Sequence, residues 1–230
     1  MKGSMYDKLL ELPLFQGLSE DNLTNILEKV KVEFNKFAPE EYISRQNAKC
    51  EGLIFILDGK VCIHSKDSKH HFIIEEEIKG PHIIEPYSLF GMYTEYQSSY
   101  QAISEVNTLN IDKKYIISNL CQYEIFNMNY LNILSNRAQT MYNKLWNSHI
   151  GNTQEKILNF LLLRSTIPYG KKTLTIKMED LASLTDDTRL NVSKALNELQ
   201  DKDLISLSRK KIIIHDLRLL NEHVIKSFKK

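Results

Sequence analysis

The side chains best suited to contact DNA bases lie on one face of a predicted helix that runs from Thr188 to Lys202. The other face is apolar and follows the helical spacing i, i+3, i+4, i+7 with Val192, Ala195, Leu196 and Leu199. Arg and Asn side chains fit guanine and adenine edges in the major groove, and Lys reaches guanine or a phosphate. The pattern therefore predicts DNA contacts from Thr188, Arg189, Leu190, Ser193, Lys194 and Asn197.

A cationic hairpin is predicted directly after this helix. Residues 204–208 and 212–215 form two short β-rich runs, and Arg209, Lys210 and Lys211 lie between them. Three cations at a hairpin tip suit contacts to DNA phosphates, which add affinity but little sequence information. A solvated tip without a partner is the alternative. With the amphipathic segment 178–184 and the polar break 185–187 before the helix, the order predicts a winged helix-turn-helix.

Charge is distributed unevenly along the chain. Residues 151–230 contain 15 Lys and Arg against 10 Asp and Glu, whereas residues 1–150 contain 15 against 19. The formal charge of +1 therefore combines a basic C-terminal part with an acidic remainder. A net charge of +5 is modest, so tight binding to a duplex is expected to need two copies of the chain.

Several classes of protein are disfavoured by the sequence. No apolar run reaches the ~18 residues of a membrane span, and no apolar signal core is present, so a cytoplasmic location without a membrane partner is expected. Three widely spaced cysteines indicate neither a disulfide framework nor a metal site. An enzyme is not expected, because nucleophile-elbow, phosphate-loop, zinc-protease and dinucleotide motifs are missing. In the run Glu75, Glu76, Glu77, adjacent strand residues alternate faces, so Glu75 and Glu77 fit a solvated face better than an acid/base pair.

The N-terminal part begins with a predicted helix capped by Ser19 and continues with short strands. The predicted strands cover residues 32–37, 52–57, 60–65, 72–76, 100–104 and 107–111. Many short strands joined by turns are typical of a small antiparallel roll. Asp58 and Gly59 between two apolar runs predict a type I′ hairpin turn, which needs positive φ at both positions.

A long helical stretch follows, from Asp112 to about Ser148, without Pro or Gly. Leu131, Leu134, Ala138, Met141 and Leu145 alternate steps of three and four, the spacing of a two-stranded seam. These residues predict a dimer interface, with packing on the roll as the alternative. Residues 148–152 then predict a hinge, and Thr153 predicts the N-cap of a helix over residues 154–164.

This order of elements resembles the cyclic-AMP receptor protein and FNR (Crp/Fnr) superfamily of bacterial transcription regulators. The resemblance is carried by residues 52–61 (GLIFILDGKV) in the roll, and by residues 188–196 (TRLNVSKAL) followed by Leu204 and Ile205. It implies an α+β fold with a cyclic-nucleotide-binding-like β-roll (jelly-roll), a long dimerisation helix and a C-terminal winged helix-turn-helix. The implied domains are a β-roll effector domain over residues 1–111, a dimerisation helix and hinge over 112–150, and a DNA-binding domain over 151–230.

The same resemblance implies a homodimer on double-stranded DNA with an inverted-repeat operator, contacts with RNA polymerase, and a small-molecule effector of unknown identity. It implies base or phosphate contacts for Arg189 and Lys194. Leu190 stands where the family often has an acidic residue, so a different half-site sequence is expected.

The predicted effector pocket departs from the cyclic-nucleotide-binding members of the family. Glu85 matches their glutamate, but Ile84 replaces a glycine, and Tyr96 and Gln97 replace an Arg-Ser pair that binds phosphate. Residues 81–111 contain no Lys or Arg, and a buried phosphate without a matched cation is costly. We therefore expect no binding of cyclic AMP in the standard manner.

Two alternatives remain open for this pocket, whose predicted residues are Glu85, Tyr87, Phe90, Met92, Tyr96 and Gln97. The aromatic side chains either fill the space or hold an apolar effector. No cofactor is predicted, although haem stays an alternative with His64, His82, His149 or Met92 as axial ligands. The scattered cysteines disfavour an iron-sulfur cluster, and a regulatory module acting through protein contacts is the competing function.

Overall fold

The computed structural model describes residues 5–146 and 151–226. Within these ranges the helices are α1 (Met5–Leu10), α2 (Glu20–Lys29), α3 (Lys113–Ser118), α4 (Glu124–Trp146), α5 (Thr153–Arg164), α6 (Met178–Leu184), α7 (Arg189–Gln200) and α8 (Leu217–Lys226). The strands are β1 (Val32–Phe37), β2 (Tyr42–Ser44), β3 (Gly52–Asp58), β4 (Lys60–Asp67), β5 (Phe72–Lys79), β6 (His82–Ile84), β7 (Ser99–Ala102), β8 (Val106–Asp112), β9 (Lys172–Thr175), β10 (Ile205–Ser208) and β11 (Lys211–Ile214). Short 3-10 turns link some of them.

The chain forms two compact units. The first contains Met1–Cys62 and Ile78–Ala138, and the second contains Ile63–Glu77 and Gln139–Lys230. The division differs from the domain boundaries expected at residues 111 and 150, because residues 63–77 pack with the C-terminal part of the chain. The expected boundaries stay predictions, and residues 148–150 of the predicted hinge 148–152 lie outside the described residues.

The first unit is a β-roll. One sheet has the strand order β1-β8-β3-β6, with antiparallel register from Val32 opposite Ile111 to Phe37 opposite Val106, and β2 pairs separately with β7. Strands β3 and β8 carry most of the buried residues of this sheet, whereas β1 has none. Runs rich in β-forming residues between turn residues identified all three strands in the sequence. Phe55 of β3 packs on Phe15, with ring centroids 5.3 Å apart.

The expected hairpin turn at Asp58 and Gly59 is wrong. Strand β3 belongs to the sheet with β8 and β6, whereas β4 joins β7 and β5, so the chain turns a corner from one sheet to another. Only Gly59 has a positive φ there, 98°. A Cβ at Gly59 would lie 2.4 Å from the carbonyl oxygen of Glu105, so the close approach of two chain segments demands glycine.

The predicted continuous helix from Asp112 to Ser148 is interrupted. Helix α3 ends at Ser118, a 3-10 turn covers residues 120–122, and α4 begins at Glu124. Leu120 in this turn is completely buried, and the side-chain amide of Asn127 donates to the carbonyl oxygen of Cys121 at 2.6 Å. Packing of the turn against the roll thus overrides a sequence without helix-breaking residues.

The second unit surrounds one apolar core formed by α5, α6, α7, α8 and the strands beside them. Strands β10, β11, β9 and β5 are neighbours in this order, and β5 pairs antiparallel with β9 from Ile73 opposite Thr175 to Glu76 opposite Lys172. Phe72 packs edge-on against Phe160 at 5.4 Å. The segment 63–77, although it follows the roll strands in sequence, therefore extends the sheet that carries the hairpin 205–214.

A buried ion pair links β5 to β9. The ammonium of Lys172 lies 2.7 Å from a carboxylate oxygen of Glu76, and both side chains are almost completely buried. Glu76 also accepts hydrogen bonds from the backbone N–H groups of Thr166 and Ile167, at 2.7 and 3.2 Å. Of the expected solvated face, Glu77 is exposed and Glu75 is half-buried, whereas Glu76, which alternates to the other face, is buried and paired with a cation.

No helix in the described part of the chain is long and apolar enough to cross a membrane.

Candidate nucleic-acid interface

Helix α7 presents most of the predicted DNA-contacting residues to solvent. Its buried residues are Val192, Ala195, Leu196 and Leu199, the four that the spacing placed on one face. Arg189, Leu190, Lys194 and Asn197 are exposed, as is Thr188 before the helix, and Ser193 is half-buried. The structure thus brings all six predicted residues together on and beside the outer face of one helix.

The N-terminus of α7 is held by two residues. The hydroxyl of Thr188 caps the helix by accepting a hydrogen bond from the backbone N–H of Asn191 at 3.2 Å. The carboxylate of Asp187 accepts from the Thr153 hydroxyl at 2.7 Å, the Asn191 amide at 2.8 Å and the Thr188 N–H at 2.7 Å. These hydrogen bonds lower the pKa of Asp187 and keep it ionised, and the bond from Thr153 has the largest effect.

Asp187 therefore orients α7 relative to α5. Sequence reasoning placed this residue in the polar break without a role, because its partner Thr153 lies 34 positions away. The expectation that Thr153 caps α5 is wrong. Asn152 is the N-cap and forms a capping box with Glu155, which leaves the Thr153 hydroxyl to bind Asp187.

Arg189 forms an ion pair with Glu179 of α6, at 3.2 Å. Both side chains are about two-thirds exposed, 69% and 65%, so the pair is accessible to water and easily exchanged. The guanidinium stays available for a base edge or a phosphate.

The hairpin of β10 and β11 has a tight cationic turn. Arg209 and Lys210 connect the strands, Lys210 adopts a positive φ of 62°, and both side chains and that of Lys211 are exposed. The amide oxygen of Gln200, the last residue of α7, accepts from the backbone N–H of Leu207 at 2.9 Å. This bond links the hairpin directly to the end of the helix, a positioning role that no sequence motif indicated.

A cationic depression of about 280 Å³ lies between the hairpin and the start of α7. Lys177, Arg189, Lys210 and Lys211 line it, with Glu179 as the acidic residue. Clustered cations around a concave surface attract phosphate groups through long-range electrostatics. The second unit therefore combines a base-compatible helix with an anion-attracting wall.

In the first unit, the predicted effector residue Glu85 is buried and surrounded by hydrogen-bond donors. It accepts hydrogen bonds from the backbone N–H groups of Gln97 and Ser98, at 2.7 and 3.0 Å, and from the hydroxyls of Ser88 and Tyr100, at 3.0 and 3.2 Å. Glu85 is 2% exposed, and burial raises its pKa although these bonds oppose the shift. A carboxylate of the chain itself thus uses donors that an anionic ligand would need.

The remaining predicted pocket residues do not all meet at Glu85. Phe90 packs edge-on against Tyr130, and Arg137 lies 3.6 Å above the ring of Tyr87. Tyr96 is buried. Desolvation, followed by its interaction with Cys50, raises the pKa of the Tyr96 hydroxyl. Met92 is 86% exposed and lies away from these contacts, and of Gln97 only the backbone N–H reaches Glu85.

The predicted dimer residues line helix α4. Leu131 and Leu145 are 56% and 59% exposed, Ala138 is exposed, and Leu134 and Met141 are half-buried. Leucines that remain exposed on a single chain at seam spacing are typical of a helix that packs on a partner.

The candidate haem ligands that the structure describes have different surroundings. His64 lies 3.5 Å from Glu75, burial lowers the pKa of His82 to about 4, and Met92 projects into solvent. His149 lies outside the described residues. Among the described residues, no group of three or more His, Cys, Asp or Glu is arranged to hold a metal ion.

Comparison with known proteins matches both parts of the chain to family models. The model described as the Crp-like helix-turn-helix domain matches residues 155–223, and that of the cyclic nucleotide-binding domain matches residues 34–123. No curated protein matches this chain.

Solved structures share the fold. The catabolite activator protein of Thermus thermophilus is 19% identical, with a TM-score of 0.52 over 92% of this chain and 97% of that one. The c-di-GMP responsive global regulator CLP of Xanthomonas campestris is 14% identical, with a TM-score of 0.50 over 86% of this chain and 99% of that one. At such identities the likeness concerns the fold alone: a β-sheet cyclic-nucleotide-binding domain, a long helix and a C-terminal helix-turn-helix.

Proposed function

Because this chain belongs to the Crp/Fnr superfamily of bacterial transcription regulators, we propose that it is a homodimeric regulator that binds an inverted-repeat operator through α7 and the hairpin of β10 and β11. One observation carries the proposal. The exposed face of α7 joins base-compatible side chains to a depression lined by four cations. Arg189 and Lys194 would contact bases or phosphates, and Arg209, Lys210 and Lys211 would follow the backbone.

Dimerisation through α4 would supply the second copy of this surface. The seam residues Leu131 and Leu145 leave more than half of their surface exposed in the single chain. Two recognition helices held about 34–36 Å apart would enter successive major grooves on one side of the duplex. Two basic modules would also compensate for the modest charge of each.

Control of DNA binding would come from the β-roll, but not through cyclic AMP in the standard manner. The donors around Glu85 already bind its carboxylate, and residues 81–111 offer no cation to a phosphate. An effector would act by shifting the population between dimers whose recognition helices match or miss the operator spacing. By family resemblance, RNA polymerase would be the partner of the DNA-bound dimer, and no catalytic activity is proposed.

A DNA-selection experiment followed by titration at several salt concentrations tests the proposal. We expect a palindromic site to be enriched and its affinity to fall linearly on a log-log salt plot. Arg189→Ala should cost about 1–3 kcal/mol of binding at that site, whereas Lys210→Ala should mainly reduce the salt slope by about 1. Lys194→Ala should also weaken binding.

The matched control is Lys36→Ala, which removes one exposed positive charge from β1 of the roll. It should bind the duplex like the unsubstituted protein. Equal losses in Lys36→Ala and Arg189→Ala, or no enriched site, would overturn the assignment and favour a module that acts through protein contacts.

A further inference from the structure

The sheet that carries the hairpin of β10 and β11 continues into a strand from a distant part of the chain. Strands β10, β11, β9 and β5 are neighbours in this order, and most of β5 lies in the segment 63–77. The family model of the cyclic nucleotide-binding domain includes this segment, whereas the helix-turn-helix model, which begins at residue 155, does not. The structure nevertheless places the segment in the second unit, with the DNA-binding elements.

A row of paired residues leads from β5 to the cationic turn. Ile73 of β5 lies opposite Thr175 of β9, and Thr175 lies opposite Lys211 of β11. Lys211 in turn pairs with Ser208 of β10, and the cationic turn, residues 209–210, lies between these two. Backbone hydrogen bonds hold neighbouring strands at a spacing of about 4.8 Å, so the position of β9 determines the position of the turn.

The turn is also bonded directly to the end of β9. The backbone N–H of Ile176, the residue that follows β9, donates to the carbonyl oxygen of Lys210 at 2.9 Å. Ile176 is buried, whereas the side chain of Lys210 is exposed. A displacement of β9 would therefore move Lys210 and Lys211, two of the four cations that line the depression beside α7.

The segment 63–77 holds β9 through its side chains as well as its backbone. Phe72, Ile74 and Glu76 alternate along β5 and are all buried. Phe72 and Ile74 belong to the apolar core of the second unit, and the carboxylate of Glu76 lies 2.7 Å from the ammonium of Lys172, the first residue of β9. Without the segment, this edge of β9 would present unpaired backbone groups, and the core would lose two large apolar side chains.

We propose that the segment 63–77 is a positioning element for DNA binding. It holds β9 in place, and β9 fixes where Lys210 and Lys211 meet the DNA backbone. Phe72, Ile74 and Glu76 are buried and act through β9. That the cationic turn meets DNA rests on the proposed function, whereas the hold of the segment on the turn is measured without DNA.

A disulfide between β5 and β9 tests this hold in the full chain. Ile73→Cys combined with Thr175→Cys places two cysteines directly opposite one another on neighbouring strands, at a separation that a disulfide bridges. Oxidation should form this cross-link and slow hydrogen exchange at the Ile176 amide about tenfold, with α7 unchanged. The single variant Ile73→Cys, treated with the same oxidant, is the control. Absence of the cross-link, or equal exchange in the oxidised and reduced forms, would overturn the proposal.

The same cross-linked protein tests whether the paired arrangement of β5 and β9 is the one that binds DNA. The oxidised form should bind the selected operator at least as tightly as the reduced form. Weaker binding after oxidation would show that the segment must leave β9 for DNA to bind, which contradicts a positioning role. If no form of the protein binds DNA, the proposed function fails, and the exchange measurement still decides whether the segment holds the turn.

A double-mutant cycle separates positioning of the turn from general stability. In Lys172→Met the uncompensated carboxylate of Glu76 draws β5 away from β9, so the turn loses its place on DNA. Lys210→Ala should then change the salt slope by less than about half as much as in the unsubstituted protein, whereas Arg189→Ala on α7 should still weaken binding about tenfold.

Glu77→Gln is the matched control background for this cycle. It removes an exposed charge one position further along β5, and both Lys210→Ala and Arg189→Ala should keep their full effects in it. An undiminished effect of Lys210→Ala in Lys172→Met would overturn the proposal. An equal reduction of the Lys210→Ala and Arg189→Ala effects would do the same, because it would indicate a general loss of structure.

Discussion

Two buried glutamates in different units are accommodated in different ways. Glu76 and Glu85 are 1% and 2% exposed. Glu76 is paired with the buried ammonium of Lys172, whereas Glu85 accepts four hydrogen bonds and forms no ion pair in the described part of the chain. The ammonium of Lys172 compensates the buried charge of Glu76. The hydrogen bonds to Glu85 favour its charged form but bring no opposite charge, so its protonation state depends on the balance between burial and these bonds.

The comparison also separates two tasks. The pair of Glu76 and Lys172 holds the segment 63–77 on the sheet of the DNA-binding unit. The donors around Glu85 shape the segment between β6 and β7, and they are thereby withdrawn from any anionic ligand. The first carboxylate links two strands of the second unit, and the second occupies hydrogen-bond donors between β6 and β7 of the first.

Breaking the ion pair should have the largest effect. Lys172→Met leaves the Glu76 carboxylate buried without its cation and should lower the free energy of unfolding by about 3–5 kcal/mol. Urea denaturation monitored by circular dichroism measures this loss. The double variant Glu76→Leu, Lys172→Met should recover most of it, because no uncompensated charge remains. A loss below about 1 kcal/mol in Lys172→Met would contradict the role of the pair.

Titrating Glu85 should have a smaller effect. Because its pKa is raised in the folded protein, protonation favours folding, and this contribution is lost as pH rises from the ordinary value of 4.5 through the raised value. The slope from this group is at most about 1.4 kcal/mol per pH unit. The unfolding free energy of the protein minus that of Glu85→Gln, measured from pH 4 upwards, should therefore fall as pH rises. A rise of this value with pH would contradict the raised pKa.

A third carboxylate gives the smallest expected change. Asp187 is held ionised by donors on three residues, so Asp187→Asn should cost about 1 kcal/mol of stability through the mismatched amide. DNA affinity should fall as well, because α7 loses its link to Thr153. Thr153→Val removes the same link without altering the acid, and it should reproduce part of the affinity loss. Unchanged affinity in both variants would show that α7 is positioned without Asp187.

The sequence predicted those features that depend on neighbours along the chain. The four apolar residues of α7 are buried where the helical spacing placed them, and Ser19 accepts from the N–H of Asn22 as an N-cap should. Strands β1, β3 and β8 of the roll lie where runs rich in β-forming residues predicted them. The order of roll, long helix and helix-turn-helix was also accessible, because family motifs are local strings of residues.

Features that depend on distant partners were not accessible. Lys172 meets Glu76 across almost a hundred positions. Strand alternation set Glu76 apart from Glu75 and Glu77, but nothing along the chain indicated its partner. Gly59 looked like a hairpin residue because a sheet-to-sheet corner uses the same glycine conformation. The break at Asn119 also depends on tertiary packing, since Leu120 is completely buried.

What the sequence by itself determined is therefore the chemistry available at each surface: the base-compatible helix, the cationic turn and a roll segment without cations. The tertiary structure decided which polar groups satisfy one another. It gave Glu76 a cation and Glu85 four donors. The physical reason is that the period of apolar residues along the sequence indicates which residues of one helix or strand are buried together. Hydrogen bonds and ion pairs between remote segments depend on distances that are set only when those segments pack.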